Sequence, residues 1–357
     1  MNIDTCEVCV YTPDMLPRVL DVMSFLWKKN LQCREEYFKW KYADNPNTED
    51  SLGIVALHKD RVIGFRGYFA TRFEIPEKTK DLIVLVPGDT CVHPDYRRKG
   101  LSVLMGNLAM DTFSGAYKIF LNMTTTAPSL PGYLKMGFQS IAKKTYLSQY
   151  TFPRFIRYLL TYKKHPPLEK GRNVSGTFGQ VILSERPKPK EMAEICAGEM
   201  IHNQRIRLLR DETFFRWRFE NPFKRYRFYY FCHDSGIKGY VVIGLSHNHQ
   251  RGYILDFADT DGRSVVFLLR HMIQNKHFDM LSIYHFSVSD EFREKLKDMG
   301  FRASGLARHI EHKKTGELPV LIRPVRKSYT ETDWKIEGLD IRKINNWQIT
   351  EICSDSV

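Results

Sequence analysis

The sequence predicts an α/β fold with mixed central sheets, built twice in tandem, and three observations carry that prediction. Residues 88–138 pass from a strand through a basic turn, Arg97-Arg98-Lys99-Gly100-Leu101-Ser102, into a helix with Leu101, Leu104, Met105 and Leu108 at helical spacing. The segment Tyr37-Phe38-Lys39-Trp40-Lys41-Tyr42, closed by Asn45-Pro46, returns as Phe214-Phe215-Arg216-Trp217-Arg218-Phe219, closed by Asn221-Pro222. Met136-Gly137-Phe138 returns as Met299-Gly300-Phe301. Self-similarity over this length signals a duplicated domain rather than a solenoid. A chain of 357 residues, 43% hydrophobic and 13% aromatic, can bury two cores.

In chain order, residues 5–11 read as a strand. Pro13 and Asp14 open a helix running to Trp27. Residues 52–57 and 61–75 form a hairpin about His58-Lys59-Asp60. The strand 82–92 feeds the basic turn and its helix. Residues 117–123 make a further strand, and 131–135 a short helix that Gly137 terminates. The second copy repeats the order. It has a strand at 178–183, a helix at 189–201 and a hairpin of 226–232 and 238–245 about Asp234-Ser235-Gly236. A strand at 252–257 and a helix at 264–275 follow. The copies therefore occupy 1–150 and 174–357, with a linker at 151–173 broken by proline and charge. The tail after Arg323 carries a basic patch and no assignable chemistry.

A net charge of +13 favours an anionic ligand or surface without choosing among nucleotides, coenzymes, nucleic acid and acidic lipid. No run approaches the roughly 18 apolar residues of a membrane span. The early Asp4 and Glu7 do not suit a signal peptide. Seven cysteines, an odd number, fit reduced thiols and a cytoplasmic location. Cys6-x-x-Cys9 lies on a strand, where residues three apart face opposite sides, so it reads as structural. The histidines show no metal-ligand spacing, and no metal is expected.

The basic turn builds an anion site. First-turn N–H groups of a helix lack intrahelical partners, and the macrodipole adds about half a positive charge there. A pyrophosphate fits such a place. Gly100 lets the backbone approach closely, and Arg97, Arg98 and Lys99 supply charge. The string Val92-x-Pro94-x-Tyr96-Arg97-x-x-Gly100-x-Ser102 resembles the acyl-CoA motif of the GNAT acyltransferases, Q/R-x-x-G-x-G/A, with Ser102 replacing the usual last small residue. Tyr133-Leu134-Lys135-Met136-Gly137-Phe138 resembles their second signature, Y-x-x-x-G-F. The tandem arrangement, with Trp40-Lys41-Tyr42, Asn45-Pro46, Asp89-Thr90 and His93-Pro94, is similar to two-lobed members that acylate nucleotide-linked amino sugars in bacterial surface-polysaccharide pathways.

That resemblance implies two GNAT-like domains, acyl-CoA as co-substrate and direct transfer to the amine of a nucleotide-linked (dTDP-type) amino sugar. It places the coenzyme on Cys91, Val92, Arg97, Arg98, Lys99, Gly100, Leu101 and Ser102. A neutral amine attacks the thioester, and a backbone N–H of Cys91 or Val92 meets the oxyanion. Tyr133 gives the leaving thiolate its proton. Asp89 is the first candidate base, with a buried structural carboxylate as its alternative.

The second copy has Asp259-Thr260-Asp261-Gly262-Arg263-Ser264 where the basic turn belongs. Either aspartate can cap the helix, and both would repel a pyrophosphate. Leu296 stands where Tyr133 does and has no proton to give. This copy is expected to be degenerate, to bind no coenzyme and to wall the acceptor. His285, Trp40 and Trp217 are candidate acceptor contacts, core packing being the alternative for the tryptophans. Two competing readings are aminoacyl transfer from tRNA to a cell-wall peptide and a non-catalytic scaffold. A tRNA donor needs no pyrophosphate cradle, so the Arg97 to Gly100 turn speaks against the first and against a nucleic-acid partner. Tyr133 beside that turn speaks against the second.

Overall fold

A computed structural model describes residues 6–75, 81–151, 174–176, 179–198, 205–233, 236–246, 251–303 and 318–355. The expected linker, from 152 to 173, lies outside them, as do Phe178, residues 199–201 and the turn residues Asp234 and Ser235. The strands are β1 (Glu7–Val10), β2 (Gly53–His58), β3 (Arg61–Glu74), β4 (Leu82–Val92), β5 (Ile119–Asn122), β6 (Gln139–Lys143), β7 (Tyr146–Tyr150), β8 (Val174–Gly176), β9 (Gly179–Ser184), β10 (Ile206–Leu208), β11 (Tyr226–His233), β12 (Gly236–Leu245), β13 (Arg251–Asp259), β14 (Met280–Tyr284), β15 (Arg302–Ala303), β16 (Pro319–Pro324), β17 (Lys335–Ile336), β18 (Leu339–Asp340) and β19 (Trp347–Gln348). The helices are α1 (Leu16–Met23), α2 (Leu31–Phe38), α3 (Leu101–Phe113), α4 (Leu130–Lys135), α5 (Pro189–Gly198), α6 (Glu212–Arg218), α7 (Ser264–Gln274) and α8 (Asp290–Asp298).

Two mixed sheets carry the fold. The first runs β1-β2-β3-β4-β5-β16-β6, and the second β15-β7-β14-β13-β12-β11-β9-β8. Each copy gives a strand to the other. β7 follows β6 in the chain yet lies between β14 and β15, while β16 follows β15 yet lies between β5 and β6. The chain thus crosses the expected division at residue 150 reciprocally, and neither sheet is complete without a strand from the other copy. β10 and β19 of the second half also pair beside β3.

The repeat is visible atom by atom where the short helices end. Gly137 and Gly300 both adopt the left-handed region, at φ 82° and 87°. Phe138 N donates to Tyr133 O at 3.1 Å, and Phe301 N to Leu296 O at 3.0 Å. This six-to-one bond satisfies an orphan carbonyl and needs a residue without a Cβ at the reversal. One face of the first sheet packs on α3 and α4, and the matching face of the second on α7 and α8. The largest apolar cluster lies between the two sheets.

Trp40 and Trp217 sit at the centre of that cluster, 4% and 7% exposed. Their rings stack at 5.5 Å and 20°, and each indole N–H donates to the other's carbonyl, at 2.9 and 2.8 Å. A pseudo-two-fold relation lets the repeated residues satisfy each other. The tryptophans are therefore the joint between the copies, packed as the core-packing alternative describes.

Candidate active site

The opening of the first sheet begins in strand pairing. β4 and β5 are parallel neighbours only at Val84 with Ile119 and Leu85 with Phe120. β5 goes on to pair with β16 as far as Asn122, so β4 and β5 part beyond Leu85 and leave a fork. On its other side β4 carries a bulge, with Asp89 and Thr90 opposite Arg66 alone. Asp89 is at φ 45°, a left-handed conformation that aspartate tolerates. Beyond the bulge His93 N donates to Ile63 O at 2.8 Å. Antiparallel bonds alternate, so Cys91 faces β3 and the Val92 N–H turns towards the fork. The Val92 carbonyl accepts from Arg97 Nε at 2.9 Å.

The basic turn leads into α3. Arg98 and Gly100 have φ 60° and 82°, and Gly100 caps the helix. The first bonds of the helix are Val103 and Leu104 N–H to the Gly100 carbonyl. The five preceding amides, Arg98, Lys99, Gly100, Leu101 and Ser102, find no acceptor among the described residues. They form a concave run of donors, with exposed Arg97 and Arg98 beside it and the Lys99 ammonium over the Tyr96 ring at 5.4 Å. In the second copy amides of the matching turn are filled from within. Asp259 accepts from Gly262 N at 3.0 Å and Val265 N at 2.9 Å, and Asp261 accepts from Arg263 N at 2.9 Å and Ser264 N at 2.8 Å. Two carboxylates occupy the place of an external anion.

Tyr133 is 5% exposed. Its hydroxyl lies beside the Thr90 and Asn122 side chains, at the fork, and burial raises its pKa against the pull of Arg66. The Arg66 guanidinium sits 4.8 Å from the Tyr133 ring and donates to Ser102 O at 3.2 Å, joining the tyrosine to the start of α3.

Next to the fork lies a buried ion cluster that sequence reasoning did not foresee. A five-residue π-helical turn, Lys39–Ala43, rotates Trp40, Lys41 and Tyr42 inward together. Lys41 is fully buried. Its ammonium donates to Asp89 Oδ2 at 2.5 Å, Asp355 Oδ2 at 2.8 Å and the Tyr37 hydroxyl at 3.3 Å. Burial alone would lower its pKa, but Asp355, Asp89 and the two tyrosines hold it well above the ordinary lysine value. Asp355 enters the mouth of the fork from the chain's far end. Its Oδ1 accepts from Thr124 Oγ1 at 2.9 Å, and its Oδ2 passes so close to Gly88 that a Cβ there would lie 2.2 Å away.

Asp89 is therefore not an open base. Its Oδ2 accepts from Lys41 and, at 2.8 Å, from the Tyr42 hydroxyl; its Oδ1 accepts from the Trp27 indole at 3.1 Å. The helix expected to reach Trp27 ends at Met23, and the turn after it brings that indole inward. Cys91 is buried, its thiol donating to Val22 O at 3.3 Å, and burial raises its pKa to about 11. His285 is half-buried at the end of β14, with its N–H on Thr145 O. Among the described residues no group of three or more His, Cys, Asp or Glu could hold a metal ion, and no helix is long and apolar enough to cross a membrane.

Two sheets with exchanged strands, the first forked and opening on an amide cradle, define a GNAT fold of the tandem type. No family model and no curated protein matches the sequence. Solved structures do match the fold. A probable N-acyltransferase from Enterococcus faecalis shares 11% identity over 90% of this chain and 73% of its own, with a TM-score of 0.61. A tandem GNAT protein from the clavulanic acid biosynthesis pathway shares 12% identity over 91% of this chain and 100% of its own, with a TM-score of 0.53. Saccharomyces cerevisiae N-myristoyltransferase, solved with bound myristoyl-CoA, shares 12% identity over 90% of this chain and 82% of its own, with a TM-score of 0.51.

Proposed function

We propose that this chain is an acyl-CoA-dependent N-acyltransferase whose acceptor is the amine of a nucleotide-linked amino sugar. The observation that carries the coenzyme assignment is the contrast between the two copies. Five consecutive amides are open at Arg98 to Ser102, and four are filled by Asp259 and Asp261 at the matching turn. The first copy alone is then the coenzyme site. The pyrophosphate lies on residues 98–102, and the thioester arm enters the fork between β4 and β5.

The Val92 N–H polarises the thioester carbonyl as negative charge gathers on its oxygen. Tyr133 donates its phenolic proton to the departing sulfur, and Arg66 beneath the ring supports the charge left behind. With the Asp89 oxygens occupied by three donors, the proton shed by the amine leaves through water, and Asp89 acts by fixing Lys41 and the bulge. The amino-sugar acceptor rests on the resemblance of the Trp40 to Pro46 and Asp89 to Arg97 segments and on the charge of +13.

Isothermal titration with acetyl-CoA tests the cradle. One site per chain is expected, with affinity at least about tenfold weaker in Gly100→Val, because a β-branched residue is strained at φ 82° and its side chain would stand where the phosphates approach. Two sites per chain would contradict the assignment. Tyr133→Phe is expected to lower kcat by about 10²-fold with little change in KM for acyl-CoA, since a proton given to the leaving thiolate acts only late in the reaction. An unchanged kcat, with chemistry shown to be rate-limiting, would remove Tyr133 from this role.

A further inference from the structure

A cavity of about 760 Å³ opens beside Phe223, lined by both copies and by the C-terminal segment. Its floor holds Glu351, 8% exposed. The Glu351 Oε2 atom is fully buried and has no hydrogen-bond partner among the described residues. Lys224 and Lys144 attract it without forming an ion pair. A carboxylate taken out of water without a donor is costly, so a folded chain that keeps one has a use for it. Tyr146, Phe223 and Tyr253 supply aromatic walls, and Lys29, Lys224 and Arg225 lie around them. The Phe223 ring stacks on Tyr37 at 4.0 Å and 6°, and Tyr37 accepts from Lys41, so two stacked rings stand between the cavity and the ion cluster beside the fork.

We propose that this cavity binds a phosphorylated amine, its ammonium on Glu351, its phosphate on Lys29, Lys224 and Arg225, and its ring against the aromatic walls. The inference goes beyond the acceptor assignment and does not rest on it: with the Phe223 and Tyr37 rings between cavity and fork, an amine held on Glu351 is a bound ligand's and not the one that attacks the thioester. Volume, one buried anion and three cations together select a molecule that is anionic overall and carries one amine. A neutral sugar leaves Glu351 unanswered, and a free amine leaves the cations unused.

Three probes separate these terms: UDP-glucosamine, UDP-glucose and glucosamine, titrated calorimetrically into the full chain. UDP-glucosamine is expected to bind at least about tenfold tighter than either of the others. Glu351→Gln is expected to erase its advantage over UDP-glucose, and Lys29→Met with Lys224→Met its advantage over glucosamine. Burial holds the Glu351 carboxyl at about 7 against Lys224 and Lys144, with Tyr146 and Tyr284 the other titrating groups that face it, so its protonation weakens the preference for the amine as pH falls below 7. Thermal melting confirms that each variant is folded, and acetyl-CoA titration reports the cradle separately. Loss of coenzyme binding would sink the acyltransferase reading and leave this site standing. Equal affinity for UDP-glucosamine and UDP-glucose, no binding of any probe, or a preference that survives Glu351→Gln would overturn the site itself.

Discussion

Lys41→Met is expected to cost about 3–5 kcal/mol of folding stability, the usual penalty for removing one partner of a buried ion pair. The loss does not come from the lysine's own packing, since methionine fills most of the space of its stem. It comes from Asp89 and Asp355, which would then face each other at the mouth of the fork without a cation. Asp89 keeps Tyr42 and Trp27 as donors, and Asp355 keeps Thr124, so part of each charge stays solvated by the protein. The second carboxylate places the effect towards the upper end of that range. Urea unfolding followed by tryptophan fluorescence measures it. The triple variant Lys41→Met, Asp89→Asn, Asp355→Asn is expected to recover much of the loss, because replacing a whole buried ionic group by neutral residues is often close to neutral. A single Lys41→Met variant as stable as the parent would show that the cluster is hydrated rather than held by charge.

What the sequence made legible was local. The basic turn, its glycine and the strand before it are contiguous, so their geometry follows from the chain direction and the free amides of one helix end. The plug in the second copy was legible for the same reason, since Asp259 and Asp261 reach amides only two to six residues away. The exchanged strands were not. β7 and β16 pair with strands far away in sequence, and apolar patterning names a buried strand without naming its sheet. Trp40 and Trp217 show a second limit. An aromatic ring beside a cation is the pattern of a ligand-stacking site and equally of a core, and duplication let each ring take its partner from the other copy. Lys41 was hidden by the rule that lysines are rarely fully buried, its two carboxylates lying 48 and 314 residues away. The tail, which had no assignable chemistry by itself, delivers Asp355 to the fork and Glu351 to the cavity.

Glu351→Gln is expected to stabilise the protein, by an amount that depends on pH. Burial raises the Glu351 pKa to about 7 in the folded chain, against an ordinary glutamate value near 4.5, even with Lys224 and Lys144 pulling it down. Below the unfolded value both states hold the proton, and the parent and the glutamine variant have nearly equal stability. Between about 4.5 and 7 the unfolded chain has lost the proton while the folded chain retains it, so the parent loses stability as pH rises. Above 7 the loss is complete and amounts to about 3 kcal/mol. Glutamine carries no charge at any of these values and escapes the whole effect. For a chain of this length the difference corresponds to roughly 4 °C in Tm at pH 8, shrinking towards zero near pH 4.5. Melting curves of the two proteins across this range isolate the term, because every other titrating group is common to both. A parent at least as stable as Glu351→Gln at pH 8 would mean that the carboxylate already has a partner in the free protein.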